Sequence, residues 1–348
     1  MKFQPLYFRD LESVVSANPA LRNFPDGASF LITGANGLLG GAVIDLLLFL
    51  REEWSRRIVI HAAVRNEPYF RTRFSGHDGV FPVRWDFTRP ADFGFPCDYI
   101  IHAGCNTHPA LFAQHPADTL TGIFRGTENL LDFTAKCRGK MLFISSGEAY
   151  GFAEPPFREG EKSVVDSSDF RSCYPIGKLA AENLCTAYCH QHRIFCGIVR
   201  PCHLYGPYFR PSDSHVFAEM IQKAARGEPF QMKSEGTQKR SLCHSLDCAS
   251  AVLTVFLKNR GNEIYNIAHP EPAPSIRTVA EFCAAAGNTA VEFTGCSPEN
   301  SAGFSKIRNA VLEPEKLLSI GWNPVFDWKT GFAHSIELRK IQEKYQCL

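Results

Sequence analysis

Residues 33–40 read Thr-Gly-Ala-Asn-Gly-Leu-Leu-Gly, with three glycines spaced three apart. The run before them, Ser29 to Thr33, is short, apolar and β-compatible, and the run after them, Leu38 to about Trp54, is apolar and helical. Ile58 to Val64 is β-rich again. A strand, a glycine turn, a helix and a second strand form a crossover unit, and crossovers of this kind build parallel sheets. In that setting each glycine has a physical reason. Gly34 permits the tight turn, and Gly37, between Asn36 and Leu38, lets a pyrophosphate approach the backbone. Gly40 lets helix pack on strand, while the amides of the helix N-terminus face the anion. A plain tight turn with packing glycines is the alternative, and placement at the end of the first strand favours the dinucleotide.

Further strands are expected at Val80 to Trp85, Asp98 to His102, Lys140 to Ser145 and Ile194 to Val199, alternating with helices at Asp118 to Ala135 and Pro175 to His190. The fold class is therefore α/β, a doubly wound parallel Rossmann sheet with a smaller C-terminal substrate-binding lobe. Past Pro207 the pattern loosens, with helices expected at His215 to Arg226 and Ala249 to Lys258. The expected organisation is an N-terminal extension (1–26, with a short helix around Leu11 to Ala17) and a dinucleotide-binding unit (27–206). Parts of 236–268 return to that unit, 207–348 is mainly substrate-binding, and a cleft lies between the lobes.

Thirty-seven Lys and Arg oppose thirty-six Asp and Glu, so no global basic field points to nucleic acid and any anion site must be local. Thirteen cysteines, an odd number without a CxxC pair, read as reduced thiols of a cytoplasmic protein. The most apolar stretch, residues 41–50, is too short to cross a membrane and contains Asp45. The first fifteen residues lack a signal-peptide pattern.

Where an acid would bind the adenosine ribose at the end of the second strand, the chain has Arg65 and Asn66. An arginine there can take a 2′-phosphate, so the reading leans to NADP; with Asn66 serving the ribose, the cofactor is NAD. Asp86 and Phe87, after the third strand, are placed to touch adenine. Tyr174 and Lys178 are four apart on an expected helix, so they share a face and the ammonium can favour the phenolate. A phenol of pKa about 10 needs that help to act as a base near neutrality. An incidental surface pair is the alternative, weakened by the strand that ends in Ser145 and Ser146.

Together these motifs resemble the extended short-chain dehydrogenase/reductase family, in its nucleotide-sugar epimerase/dehydratase branch. The resemblance covers most of the chain: TGANGLLG (33–40), IIHAGCNTHP (100–109), GTENLL (126–131), ISSGEAYG (144–151), YPIGK (174–178), RPCHLYGP (200–207), RSLCHSLDCASAV (240–252), EIYNIA (263–268) and LEPEKLLSIGWNP (312–324). It implies a nucleotide-diphosphate sugar as substrate, with hydride passing between a sugar carbon, most often C4, and the nicotinamide. Tyr174 would be the base, Lys178 its electrostatic partner and a ribose ligand, and Ser146 a hydrogen-bond donor to the same oxygen. Glu148 would do acid/base work on the intermediate. Ala103, Gly104 and Pro201 fall in segments that line the cofactor. Arg240 and Arg308 would clamp the diphosphate, and His203 stands where relatives carry an asparagine that contacts substrate. Asp247 reads as structural, bonding amides at a helix start.

Two departures are notable. Gly147 replaces the acid of the dehydratase Thr-Asp-Glu pattern, and Ile123 replaces an asparagine before the Gly-Thr pair, losing a polar contact. No metal is expected: Cys185, Cys189, His190 and His192 read as buried thiols with surface histidines, and Cys243, His244 and Cys248 likewise. The resemblance implies a homodimer through helices 118–135 and 175–190. The alternatives are an NADPH-dependent reductase of a 4-keto-6-deoxy nucleotide sugar, and a non-catalytic cofactor-binding regulatory protein.

Overall fold

The glycine turn lies where a parallel sheet reverses its strand order. The computed structural model describes residues 3–210, 213–258, 261–294 and 307–346. Seven strands, β1 (Ser29–Thr33), β2 (Val59–Val64), β3 (Val80–Arg84), β4 (Tyr99–His102), β5 (Lys140–Ile144), β6 (Phe195–Pro201) and β10 (Ile264–Ile267), line up as β3-β2-β1-β4-β5-β6-β10, all parallel. The chain winds outward from β1 to β3, returns to the other side at β4, and so opens a crevice at the C-terminal ends of β1 and β4. Outside the sheet, β7 (His203–Tyr205) pairs with β9 (Leu242–His244), and β8 (Phe230–Met232) with β11 (Val291–Phe293).

The period of two in the strands separates two cores. Phe30, Ile32, Ile101, Leu142, Ile144 and Val199 face one side, where α2 (Leu38–Glu53), α8 (Ser245–Lys258) and α1 (Pro5–Ala17) cover them. Leu31, Ile100, Met141, Phe143, Cys196 and Ile198 face the other, under α5 (Pro116–Cys137) and α6 (Cys173–His192). The helix α2 is buried from Leu39 to Leu50 because α8 and α1 close its outer side, which explains a helix apolar all round. Ile123 fills the seam between α5 and α6: a Cβ added at Gly177 would lie 3.1 Å from its Cδ1. The replacement noted in the sequence therefore serves helix packing.

Several boundaries differ from expectation. The first helix starts at Pro5 because the Gln4 side chain accepts the Leu6 and Tyr7 amides at 2.7 and 3.1 Å, and proline is harmless at N1. The helix that carries Tyr174 starts at Cys173, and α8 starts at Ser245. Beyond residue 207 the expected helix is present as α7 (Val216–Arg226), and the apparent looseness hides α9 (Ile276–Ala286), α10 (Glu315–Ser319) and α11 (Trp328–Gln346). Phe217, Ile221, Val279, Cys283, Phe332 and Ile336, from α7, α9 and α11, form a separate core. Among the described residues no helix is long and apolar enough to cross a membrane.

Two buried carboxylates tie distant segments together. Asp45, on the apolar α2, accepts the Tyr7 hydroxyl at 2.6 Å and pairs with Arg73 of α3 (Glu67–Phe74), whose guanidinium lies 4.4 Å from the centre of the Tyr208 ring. Asp247, expected to bond amides at a helix start, stands in the first turn of α8 and accepts the Val325 and Phe326 amides, just before α11, at 2.8 and 2.9 Å, fastening the C-terminal segment to the sheet layer. Burial pushes its carboxyl up to about 7, against the pull of those amides.

Asp45→Ala leaves the Arg73 cation without its buried partner, and urea unfolding should show a loss of about 3 kcal/mol. Because the folded pKa of Asp247 exceeds the unfolded value of about 4, its contribution is complete at low pH and fades as pH rises through about 7. The melting-temperature advantage of wild type over Asp247→Asn should accordingly shrink between pH 5 and pH 8.

Candidate active site

The glycine end of the crevice is built from backbone in close approach. Gly34 has φ of +68°, and a Cβ there would stand 2.6 Å from the Ala103 carbonyl oxygen; one at Gly40 would stand 2.4 Å from the Gly34 carbonyl. Gly34 is thus demanded by the loop after β4 as well as by the turn. The Gly37 amide donates to the Gly34 carbonyl at 2.8 Å and Gly37 caps α2, so Leu38 opens the helix. The Gly104 amide donates to Thr33 Oγ1 at 3.0 Å, holding the β1 and β4 ends together. Asn36 donates to the Asn66 carbonyl at 2.9 Å, and its own carbonyl accepts Arg210 Nε at 3.1 Å.

Just past the end of β2, Arg65 lies 5.7 Å from the centre of the Phe87 ring. Phe87 packs on α5 where Gly122 and Gly126 leave room: a Cβ added at Gly122 would be 2.9 Å from the ring, and one at Gly126 3.1 Å from the Phe87 Cβ. Asp86 accepts the Thr88 amide and hydroxyl at 3.0 and 2.9 Å, and these bonds, with Arg65 and Arg89 nearby, hold its carboxyl below the usual range.

The two serines that end the fifth strand part company. Ser145 donates to Glu182 at 2.5 Å; Glu182 also takes Arg200 Nε and Nη2 at 2.9 and 2.6 Å, all in the interior. Arg200 lies under the Tyr150 ring at 4.5 Å, and the Tyr150 hydroxyl donates to Asn266 of β10 at 2.8 Å. Ser146 instead turns to the cleft. Its Oγ accepts the Glu148 amide at 3.1 Å, and its hydroxyl is near enough to the Tyr174 phenol to lower that group's pKa. Pro201, the last residue of β6, brings its carbonyl to within 3.5 Å of a Cβ position at Gly147.

Tyr174 is buried, its ring stacked on Phe112 at 4.7 Å. Burial raises its pKa, as do Cys105 and Glu148, while the Ser146 hydroxyl and the Arg171 cation pull it down. Lys178 shares the face of Tyr174, with Nζ 5.7 Å from the ring centre, but it donates to the Ile144 carbonyl at 2.7 Å. In this arrangement Arg171 is the cation that acts on the phenol. Its guanidinium lies 4.7 Å over the Phe112 ring, and Nη2 bonds both oxygens of Glu148 at 3.1 and 3.2 Å. Arg171 was not singled out from the sequence, although it precedes Tyr174 by three residues and so lies one turn away on its face.

His203, on β7, is enclosed, and its Nδ1 has no hydrogen-bond partner among the described residues. Burial, with Arg240 and His215 nearby, pushes its imidazole down to about 3, so the ring is neutral. Arg240 is buried and spends Nη1 on the Lys239 and Arg308 carbonyls and Nη2 on the Ile307 carbonyl, each at 2.9 Å. It braces the segment that carries Arg308, whose own side chain is exposed. Cys185 is buried, Cys189 half-buried, and His190 and His192 exposed.

The crevice thus joins a dinucleotide-type glycine cradle to a cluster of Ser146, Glu148, Arg171 and Tyr174. Comparison with known proteins agrees with that arrangement. Residues 30–268 match the model of the NAD dependent epimerase/dehydratase family. The chain is 30% identical over 256 residues to UDP-glucuronic acid decarboxylase 6 of Arabidopsis thaliana, covering 72% of this chain and 73% of that one. Its fold is similar to that of UDP-glucose 4-epimerase from Thermotoga maritima in complex with UDP-glucose (TM-score 0.76, 18% identity, 91% and 99% of the two chains). It is similar also to MoeE5 in complex with UDP-glucuronic acid and NAD (TM-score 0.74, 19% identity, 90% and 100%). This chain belongs to the NAD dependent epimerase/dehydratase family, whose members are enzymes.

Proposed function

We propose that the chain decarboxylates a UDP-uronic acid after transient oxidation at C4, with bound NAD as hydride carrier. The observation that carries this reading is the Glu148 carboxylate, bonded to Arg171 beside the Tyr174 hydroxyl, with Arg240 and His215 close enough to act on it electrostatically. A cleft rich in cations suits a carboxylated sugar, and the cations offset the charge of Glu148. The relatives and neighbours named above act on or bind UDP-linked sugars, two of them with a glucuronic acid.

When bound, the dinucleotide accepts the C4 hydride and returns it. The residues of the chain do the rest. Tyr174, as the phenolate that the Ser146 hydroxyl and the Arg171 cation favour, takes the C4 hydroxyl proton. The resulting 4-keto group makes the C6 carboxylate a β-keto acid, so loss of carbon dioxide leaves its electron pair delocalised onto the C4 oxygen, where the Ser146 and Tyr174 hydroxyls stabilise it. Glu148 serves the proton movements at C5. His203 and Arg308 contact the substrate, with Arg240 bracing the latter, and Lys178 holds the nicotinamide ribose. Residues 27–206, with parts of 236–268, hold the cofactor, and 207–348 mainly hold the sugar nucleotide.

For the cofactor we favour NAD over NADP, because the Asp86 carboxylate lies within electrostatic reach of Arg65 and would repel a 2′-phosphate. The free thiols of the described cysteines support a cytoplasmic setting.

Denatured wild-type protein should release NAD, identified by mass, and the native protein should convert UDP-glucuronic acid to a product lighter by one carbon dioxide without net NADH. Tyr174→Phe should lower turnover about 10²- to 10⁴-fold while retaining the dinucleotide. Unaltered turnover in that variant would sink the mechanism, and an unconsumed UDP-uronic acid would sink the substrate assignment. A protein that carries no dinucleotide and consumes added NADPH would favour the reductase.

We further propose a homodimer paired through α5 and α6. Light scattering at micromolar concentration should give twice the 38.9 kDa chain mass; a monodisperse monomer would refute it.

A further inference from the structure

His108, Asp213 and His215 each place a ligand-type atom within 4.8 Å of the others. They come from two segments that meet at the mouth of the cleft, the loop after β4 and the turn before α7. His215 Nε2 lies 3.0 Å from the Thr107 carbonyl oxygen, which can only accept, so this nitrogen carries a hydrogen and donates it. Its Nδ1 lies 2.5 Å from Asp213 Oδ1, which also accepts the His215 backbone amide at 3.0 Å. At that distance the ring nitrogen and the carboxylate oxygen share a proton, which a metal ion would have to replace.

His108 separates the two cases. A shared proton has no use for it, yet its ring stands 5.1 Å from the His215 ring, tilted by 35°, and has no hydrogen bond to any described residue. Two imidazoles and one carboxylate form a donor set for a borderline divalent cation such as zinc, with a coordination position left open. An imidazole N–H donated to a backbone carbonyl is the outer-shell contact that orients metal-binding histidines. In a tetrahedral zinc site adjacent ligand atoms lie about 3.3 Å apart, so occupancy asks the His215 and Asp213 pair to part by less than about 1 Å.

We propose that His108, Asp213 and His215 bind one zinc-like divalent cation, which clasps the loop after β4 to the start of α7 at the rim of the cleft. The site shares His215 with the cleft described above, but its test reads metal binding and not turnover.

The test uses the full chain, stripped with a chelator, and titrates Zn²⁺ in competition with a chromophoric chelator. Wild type should retain one equivalent at micromolar free zinc, and His108→Ala and Asp213→Asn should each weaken binding by about tenfold or more. Cobalt in the same site should give a tetrahedral visible spectrum without thiolate charge-transfer bands. Absence of binding, binding indifferent to both substitutions, or thiolate bands that assign the metal to cysteines would overturn the proposal.

Discussion

The site rests on a buried ion pair that takes no part in it. Arg200 and Glu182 face each other in the interior at 2.6 Å, and removing two such charges from water is costly unless their remaining partners are supplied. Most are: Ser145 donates to the carboxylate and the Tyr150 ring covers the guanidinium, of which Nη1 alone has no hydrogen-bond partner among the described residues. The Tyr150 hydroxyl continues the network to Asn266, whose side-chain amide donates to the Phe157 carbonyl at 2.9 Å. One network therefore fixes the end of β5, the middle of α6, β6, β10 and the turn that carries Glu148. With those fixed, Ser146 and Tyr174 can meet only in one way.

Electrostatics in the cleft follow from this enclosure. Tyr174 is stacked and buried, which favours the neutral phenol, and the groups that oppose burial are a hydroxyl and the Arg171 cation. Lys178 is equally buried and is held by a strand carbonyl. The nearby His102 ring, deep in the sheet, is pushed down to about 3 by burial and by that same lysine, and it pairs with Thr33 at 2.9 Å. Lys178 thus links the glycine cradle electrostatically to the catalytic helix, while Arg171 joins Tyr174 to Glu148 through the Phe112 ring.

Most of the sheet was legible because its strands are short apolar runs closed by turns, and because the glycines signal the reversal of strand order. The face assignment of Tyr174 and Lys178 followed from helical periodicity alone. Arg171 escaped notice although it lies three residues before Tyr174, since a single arginine ahead of the helix expected from Pro175 carries no periodic signal. Asp247 was read as structural, bonding amides at a helix start, but its partners Val325 and Phe326 could not be named because they lie 78 and 79 residues further along the chain. The helices beyond residue 207 were underread for a related reason: α11 mixes charged residues with the apolar ones it buries against α7 and α9.

By itself the sequence determined what local geometry dictates: the crossover unit, the glycine turn, the shared face of Tyr174 and Lys178, and the apolar α2. Tertiary structure decided everything that depends on contacts between distant segments. It separated Ser145 from Ser146, gave Glu148 its arginine, turned Arg240 from an exposed-type clamp into a brace for the Arg308 segment, and brought His108 to His215. The physical reason is that backbone preferences act over a few residues, whereas the charge state and reach of a buried side chain depend on whatever the fold packs around it.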